Sequence, residues 1–271
     1  MKKVLFSLVA LFAAVVASAQ DYQNKEYFVG SEIAGLVVSG NMDVQISQGS
    51  QTGVWVTIDP AYVDRFNVSI TEDMYARIEY REDLKAVFSK KNKPVCKVVV
   101  SSLRYLSING SSVIGKGTFS CASTFSALMW GGSFLSFVKI ESEKSVWDIK
   151  GGAKVEDCTI EAPVMVEVTA DETSSSNLKI NTENLIATAK GAALLTLSGE
   201  VSRNTKVSAN STVTVDILKV NTPMIDATAL GMSKIKATVT GTANVTCGGT
   251  ASFRYVGNGT VNGDSKNIKP M

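Results

Sequence analysis

The sequence predicts an all-β fold: a right-handed parallel β-helix-like solenoid of about 20-residue coils, whose N-terminal part is a β-strand-rich continuation of the same solenoid. Three observations carry this reading. Apolar and polar residues alternate with period two along much of the chain, the mark of half-buried strands. A turn-forming residue followed by small residues, mostly leading into an apolar one, returns about every 20 residues, the period range of stacked repeats. Beyond the first 19 residues no stretch holds a 3.6-residue apolar period, so no helix is expected between the strands.

Residues 1–19 read as a cleavable signal peptide. Met1-Lys2-Lys3 is the charged start, Val4 to Val16 the apolar run and Ala17-Ser18-Ala19 the small-residue cleavage site, which predicts a mature protein beginning at Gln20. The apolar run is shorter than the roughly 20 residues that span a bilayer, and no later segment comes near that length. The mature protein is therefore expected to be soluble and exported, to the periplasm, the outer-membrane surface or the extracellular space. No cysteine follows the apolar run where a bacterial lipoprotein is acylated, so no lipid anchor is expected.

Export also changes the charge balance. Removal of Lys2 and Lys3 from 27 basic residues leaves 25 against 25 acidic ones, so the mature chain is formally neutral. A neutral, mixed-charge chain lacks the basic stripe that nucleic acid or anionic lipid would need. The densest basic stretch, Arg81 to Lys93 with Lys85, Lys90, Lys91 and Lys93, reads as a solvated hairpin tip.

Residues 20–100 form the N-terminal β-rich part. Met42, Val44 and Ile46 alternate with Asp43, Gln45 and Ser47; Val54, Val56 and Ile58, then Val68 and Ile70, then Ile78 and Tyr80 continue the pattern. Ser39-Gly40-Asn41, Gln48-Gly49-Ser50 and Asp59-Pro60 supply turn chemistry between them. Val95 to Val100 is a further strand.

Residues 101–262 hold the repeats, and 263–271 a C-terminal tail. The turn clusters fall at Gly110, Gly132, Gly152, Asp171, Gly191, Asn210, Gly231 and Gly249, with successive spacings of 22, 20, 19, 20, 19, 21 and 18 residues. A helix-free period of this length is too short for a propeller blade and suits one coil of two or three short strands. Coils pairing at roughly 4.8 Å would give seven or eight turns and a rod on the order of 35 to 40 Å. Glycine, or Asn210, fits the corners because a left-handed backbone is cheap there. Ser, Thr and Lys face outward on this reading, while Leu, Ile and Val fill the interior with Trp130 and Trp147; an exposed tryptophan could instead stack on a sugar ring.

Cys96, Cys121, Cys158 and Cys247 are widely spaced, match no metal-ligand pattern, and read as buried free thiols. The chain has no histidine, which excludes Ser-His-Asp and Cys-His catalysis and His-based zinc sites. A carboxylate pair is the chemistry that remains. Asp148 and Glu167 lie 19 residues apart, both flanked by apolar neighbours and so directed outward. Stacked on adjacent coils near 5 Å, they could share a proton, hold a cation or serve glycoside hydrolysis. Two acids on an exposed face also read as plain solvated surface, so no catalytic, cofactor-binding or metal-binding residue is assigned. No phosphate-binding loop occurs, and Asn109-Gly110-Ser111 and Asn258-Gly259-Thr260 read as turns.

Gly35 to Val44, Leu103 to Gly110 with Ser111-Ser112 behind it, the recurring glycine-small-small step, and Phe253-Arg254-Tyr255-Val256-Gly257 together resemble the head GIN domain of putative autotransporter adhesins, exported proteins of Gram-negative bacteria. The resemblance spans almost all of the mature chain and concerns the head alone. It departs from the family at Gly259, where a proline is usual. It implies a non-enzymatic adhesin-like or structural module of the cell envelope, with glycans or cell-surface proteins as partners and self-association through open strand edges. The alternative reading is a carbohydrate-active enzyme, a polysaccharide lyase or glycoside hydrolase, on the same β-helix.

Overall fold

The computed structural model describes residues 22–80, 93–263 and 266–271. The signal peptide expected from sequence and most of the basic stretch from Arg81 lie outside them. The described residues form strands in one hydrogen-bonded sheet, with a single short 3-10 turn at Pro60–Arg65 and no α-helix among them.

The strands run in chain order β1 (Gln23–Tyr27), β2 (Gly35–Ser39), β3 (Asp43–Gln48), β4 (Gly53–Ile58), β5 (Phe66–Ile70), β6 (Tyr75–Tyr80), β7 (Val95–Val100), β8 (Tyr105–Asn109) and β9 (Ser112–Lys116). There follow β10 (Thr118–Ser120), β11 (Thr124–Trp130), β12 (Phe134–Ser136), β13 (Lys139–Glu141), β14 (Lys144–Ile149), β15 (Lys154–Glu161) and β16 (Met165–Ala170). β17 (Ser175–Ala189) and β18 (Leu194–Ala209) each run the length of a coil. The stack closes with β19 (Thr214–Asn221), β20 (Met224–Ala229), β21 (Lys234–Thr238), β22 (Thr242–Cys247), β23 (Ser252–Val256), β24 (Thr260–Asn262) and β25 (Ile268–Pro270).

Parallel pairing sorts them into three faces, a β-solenoid of about 8 turns. On the first face β2, β8, β11, β14 and β16 stack in order, continued by the second half of β17 and by β18, β20, β22 and β24. The second face carries β3, β9, β12 and the first halves of β15, β17 and β18, then β19, β21, β23 and β25. The narrower third face is β10, β13 and the later parts of β15, β17, β18 and β19.

The N-terminal part joins this stack and also closes it. β2 and β3 pair in parallel with β8 and β9, and with β6 and β7 on their other edges. Beyond them the pairing turns antiparallel, β5 on β6 and β1 on β4 on β7. Residues 263–271, read from sequence as a tail, contain β25, which pairs with β23.

Alternation along each strand builds the core. On the first face one inward row reads Ala127, Trp147, Val168, Ala187, Val207, Ala227 and Val245, so small residues flank the large Trp147. Trp147 is fully buried, tilts against Phe125 at 5.4 Å and donates its indole N–H to Ser145 Oγ at 2.8 Å.

The corner between the first two faces is a column of left-handed residues. Gly40, Gly110, Gly131, Gly151, Glu172, Gly191, Ser211, Gly231 and Gly249 all have φ between 56° and 113°. The period near 20 is thus physical, since each coil spends at least one αL residue to turn the corner. The corner falls one residue from the turn position read from sequence in four coils: at Gly131 and Gly151, each followed by a second left-handed glycine, and at Glu172 and Ser211, next to Asp171 and Asn210. At Gly191 the requirement is doubled, because a Cβ would stand 2.8 Å from the Glu172 backbone. The third corner repeats a hydroxyl cap instead: Ser142, Thr182 and Thr222 each donate to the carbonyl two residues on.

The four cysteines are free thiols, Cys96, Cys121 and Cys158 buried and Cys247 half-buried. Burial pushes the Cys158 thiol up to about 12, and raises Cys96 and Cys247 as well.

Candidate functional site

The outward side of the first face changes character along the solenoid. In the later coils its rows are short polar side chains that satisfy one another. Asn244 donates to Asp226 at 2.9 Å and Asn262 to Asn244 at 3.0 Å. The third face behaves alike, with Asn181 on Glu161 and Asn221 on Glu200, each at 2.9 Å. Glu141 is held by Lys139 at 2.7 Å, and that hydrogen bond keeps its carboxyl below the ordinary range.

Asp148 and Glu167 belong to these regular rows. Both are on the first face and both point outward, but Asp148 stands opposite Thr169 and Glu167 opposite Val146. The coil is 21 residues long at this point, so a 19-residue spacing leaves the acids two positions out of register. Their Cα atoms are then about 8 Å apart, from strand spacing and rise, instead of stacked near 5 Å. Asp148 is also paired with Lys150 at 2.9 Å. No group of three or more His, Cys, Asp or Glu suited to a metal occurs among the described residues.

The distinctive surface lies at the N-terminal end of the same face. An open groove of about 660 Å³ crosses β6, β2, β8 and β11. One wall is a tyrosine pair. Gly35 of β2 stands in register with Tyr75 on one side and Tyr105 on the other, and the two rings stack over it at 5.1 Å with 22° between their planes. A side chain at Gly35 would prevent this, since its Cβ would meet the Tyr75 ring at 2.5 Å and the Tyr105 carbonyl at 2.9 Å. The floor is Val37, Ser107 and Leu128. The opposite wall is Asn109 with Trp130, in register on β8 and β11. Trp130 Nε1 is buried with no hydrogen-bond partner among the described residues.

The lip of the groove is the turn between β5 and β6. Thr71 and Met74 close it backbone to backbone at 2.9 Å, and the Ala34 N–H fixes it to the Met74 carbonyl at 2.8 Å. It presents Glu72 and Asp73, while Arg77 and Glu79 pair at 3.7 Å along β6.

Of the two tryptophans expected inside, only Trp147 is there. Trp130 faces the groove because Phe125, Ala127 and Met129 take the inward positions of β11. That parity was readable, as was the parity that puts Tyr75 and Tyr105 outside, beside Ala76 and Leu106. The meeting of these residues was not, because β2 inserts between β6 and β8.

No helix among the described residues is long and apolar enough to cross a membrane. None of the curated proteins matches the chain in sequence. Among solved structures it is similar to a putative adhesin from Parabacteroides merdae, at 13% identity and a TM-score of 0.64 over 93% of this chain and 97% of that one. A putative adhesin from Parabacteroides distasonis aligns equally well, at 13% identity and 0.64 over 93% and 98%. A putative lipid binding protein from the same organism follows at 14% identity and 0.58, again over 93% and 98%. These likenesses concern the fold. Residues 33–259 match the family model described as putative auto-transporter adhesin, head GIN domain, and the chain belongs to that family.

Proposed function

We propose that the protein is an exported, non-enzymatic, adhesin-like binding module of the Gram-negative cell envelope. The observation that carries this reading is the solenoid surface itself. A stack of about 8 coils presents fixed rows of Ser, Thr, Asn and paired charges at the strand spacing, a rigid polar face of the kind repeat proteins offer to large partners. Membership of the head GIN family supports it, and Asp148 is already engaged by Lys150, which leaves Glu167 without a free carboxylate partner for hydrolysis. Glycans and cell-surface proteins are the partners that such a face suits.

The test incubates the purified mature protein with polysaccharides, mucin-type glycans and immobilised cell-surface protein, scoring retention and release of reducing or unsaturated ends in the same wells. Retention without cleavage is expected. Cleavage of any substrate would overturn the reading and direct attention to Asp148 and Glu167. Export has its own check: the intact mass of the protein recovered outside the cytoplasm should correspond to a chain beginning at Gln20.

A further inference from the structure

We infer that the groove between the tyrosine pair and Trp130 is the binding site of this module, and that it takes a neutral glycan chain. The inference rests on the binding reading above and specifies where and what it binds.

The two aromatic walls belong to outward rows four residues apart along the strands, about 13 Å at the rise of an extended chain. The groove crosses four strands, about 14 Å at the spacing between them. Its volume of about 660 Å³ falls in the range of small-ligand sites, roughly 300–1,000 Å³. These dimensions suit a short run of sugar rings lying across the strands.

The chemistry of the walls matches a sugar. The C–H face of a pyranose packs on an aromatic ring, whose negative π-face meets the positive C–H edges. Tyr75 and Tyr105 are already locked over Gly35, so little ordering remains when a ligand arrives. Asn109, Ser107 and the acids at the lip supply planar and hydroxyl groups for sugar hydroxyls. The unpaired Trp130 N–H gains an acceptor if the indole turns slightly toward a ligand hydroxyl or acetamido carbonyl.

Charge selects the type of glycan. Among the described lining residues Glu72, Asp73 and Glu79 outnumber Arg77, which is itself paired with Glu79, and Arg104 beside the lip is turned to the Asp73 carbonyl at 3.5 Å. Sialylated, uronic or sulfated chains would be repelled. A lipid tail is a poor occupant, since among the described lining residues Val37 and Leu128 are the only aliphatic ones besides Val38, which points into the core.

The experiment measures retention of the mature protein on chito-, cello- and manno-oligosaccharides, on heparin and hyaluronan, and on phosphatidylcholine vesicles. Trp130→Ala and Tyr105→Ala should each weaken neutral-glycan binding by about tenfold or more, the effect of losing one aromatic anchor. Tyr105→Phe should stay within about twofold of the parent, as should Glu200→Ala on the third face. Thermal melts identify any variant that has lost its fold, and Tyr75→Ala then replaces it as the probe of the tyrosine wall. Equal retention by the aromatic variants, or preference for heparin or vesicles, overturns the inference. If the wild type binds no glycan yet still binds cell-surface protein, the groove inference falls and the adhesin-like reading stands. If it binds neither, both fall.

Discussion

The coils from β13 onward and the N-terminal region solve the same problem differently. In the later coils each strand lies on the one a coil earlier, and outward side chains meet near-copies of themselves. Asn on Asp, Asn on Asn and Asn on Glu tie those rows into a regular polar face. In the N-terminal region β2 slots between β6 and β8, and the antiparallel β5 and β4 seal the stack. Unlike residues are thereby brought side by side, and the groove appears. Regular repetition makes a stiff support; a distinctive surface arises where the repetition is interrupted.

The largest test of this contrast is in the support. Trp147→Ala removes the widest side chain of the interior and should cost about 3–5 kcal/mol in urea unfolding. Trp130→Ala, on the groove, should cost a small fraction of that. Equal losses would dissolve the distinction between support and site.

Titration of the buried thiols compares the two regions directly, since Cys96 belongs to β7 and Cys158 to β15. Both are raised by burial above an ordinary value of about 9. Their stabilising contribution is complete below that pH and is lost as pH rises from there toward the folded value, about 12 for Cys158. The slope is about half its limit near pH 9 and approaches that limit, about 1.4 kcal/mol per pH unit per thiol, by pH 10. Urea melts at pH 8, 9 and 10 should show it, and Cys96→Ala or Cys158→Ala should each remove its own share. A wild-type stability that is flat across this interval would contradict the burial of both.

The corner column offers a smaller effect of opposite sign. Ser211 has φ 77° at a position that every other coil but the one with Glu172 gives to glycine. Ser211→Gly should raise stability by about 0.5 kcal/mol, the relief of a left-handed L-residue less the entropy of the added glycine. A thermal melt against Gly191→Ala, which should fall by more than that rise, measures what the corner demands.

Hydrogen exchange gives the mildest comparison. Among the described residues β1 pairs only with β4 and its side chains are mostly exposed, so its amides should exchange ahead of those of β17, which is paired on both edges.

The site was less legible than the fold. Each wall residue sits in an alternating strand whose inward parity is plain, so the outward direction of Tyr105 and Trp130 could be read residue by residue. Nothing local says that residues 37, 75, 107 and 130 share a groove, because strand order along the sheet is not chain order. Asp148 and Glu167 show the converse. Both directions were correct, yet their contact depended on a coil length that the glycine spacing misstates by two residues at this point.

The sequence by itself determined what is periodic and local: strands by alternation, corners by residues that tolerate positive φ, and a coil near 20 residues. Those properties need only neighbouring residues and a repeating turn. The tertiary structure alone decided which rows are in register, that β2 enters between β6 and β8, and that two tyrosines meet over Gly35. Such outcomes depend on hydrogen-bonded pairing between segments far apart in the chain, and one or two residues of slip would exchange every neighbour across the sheet.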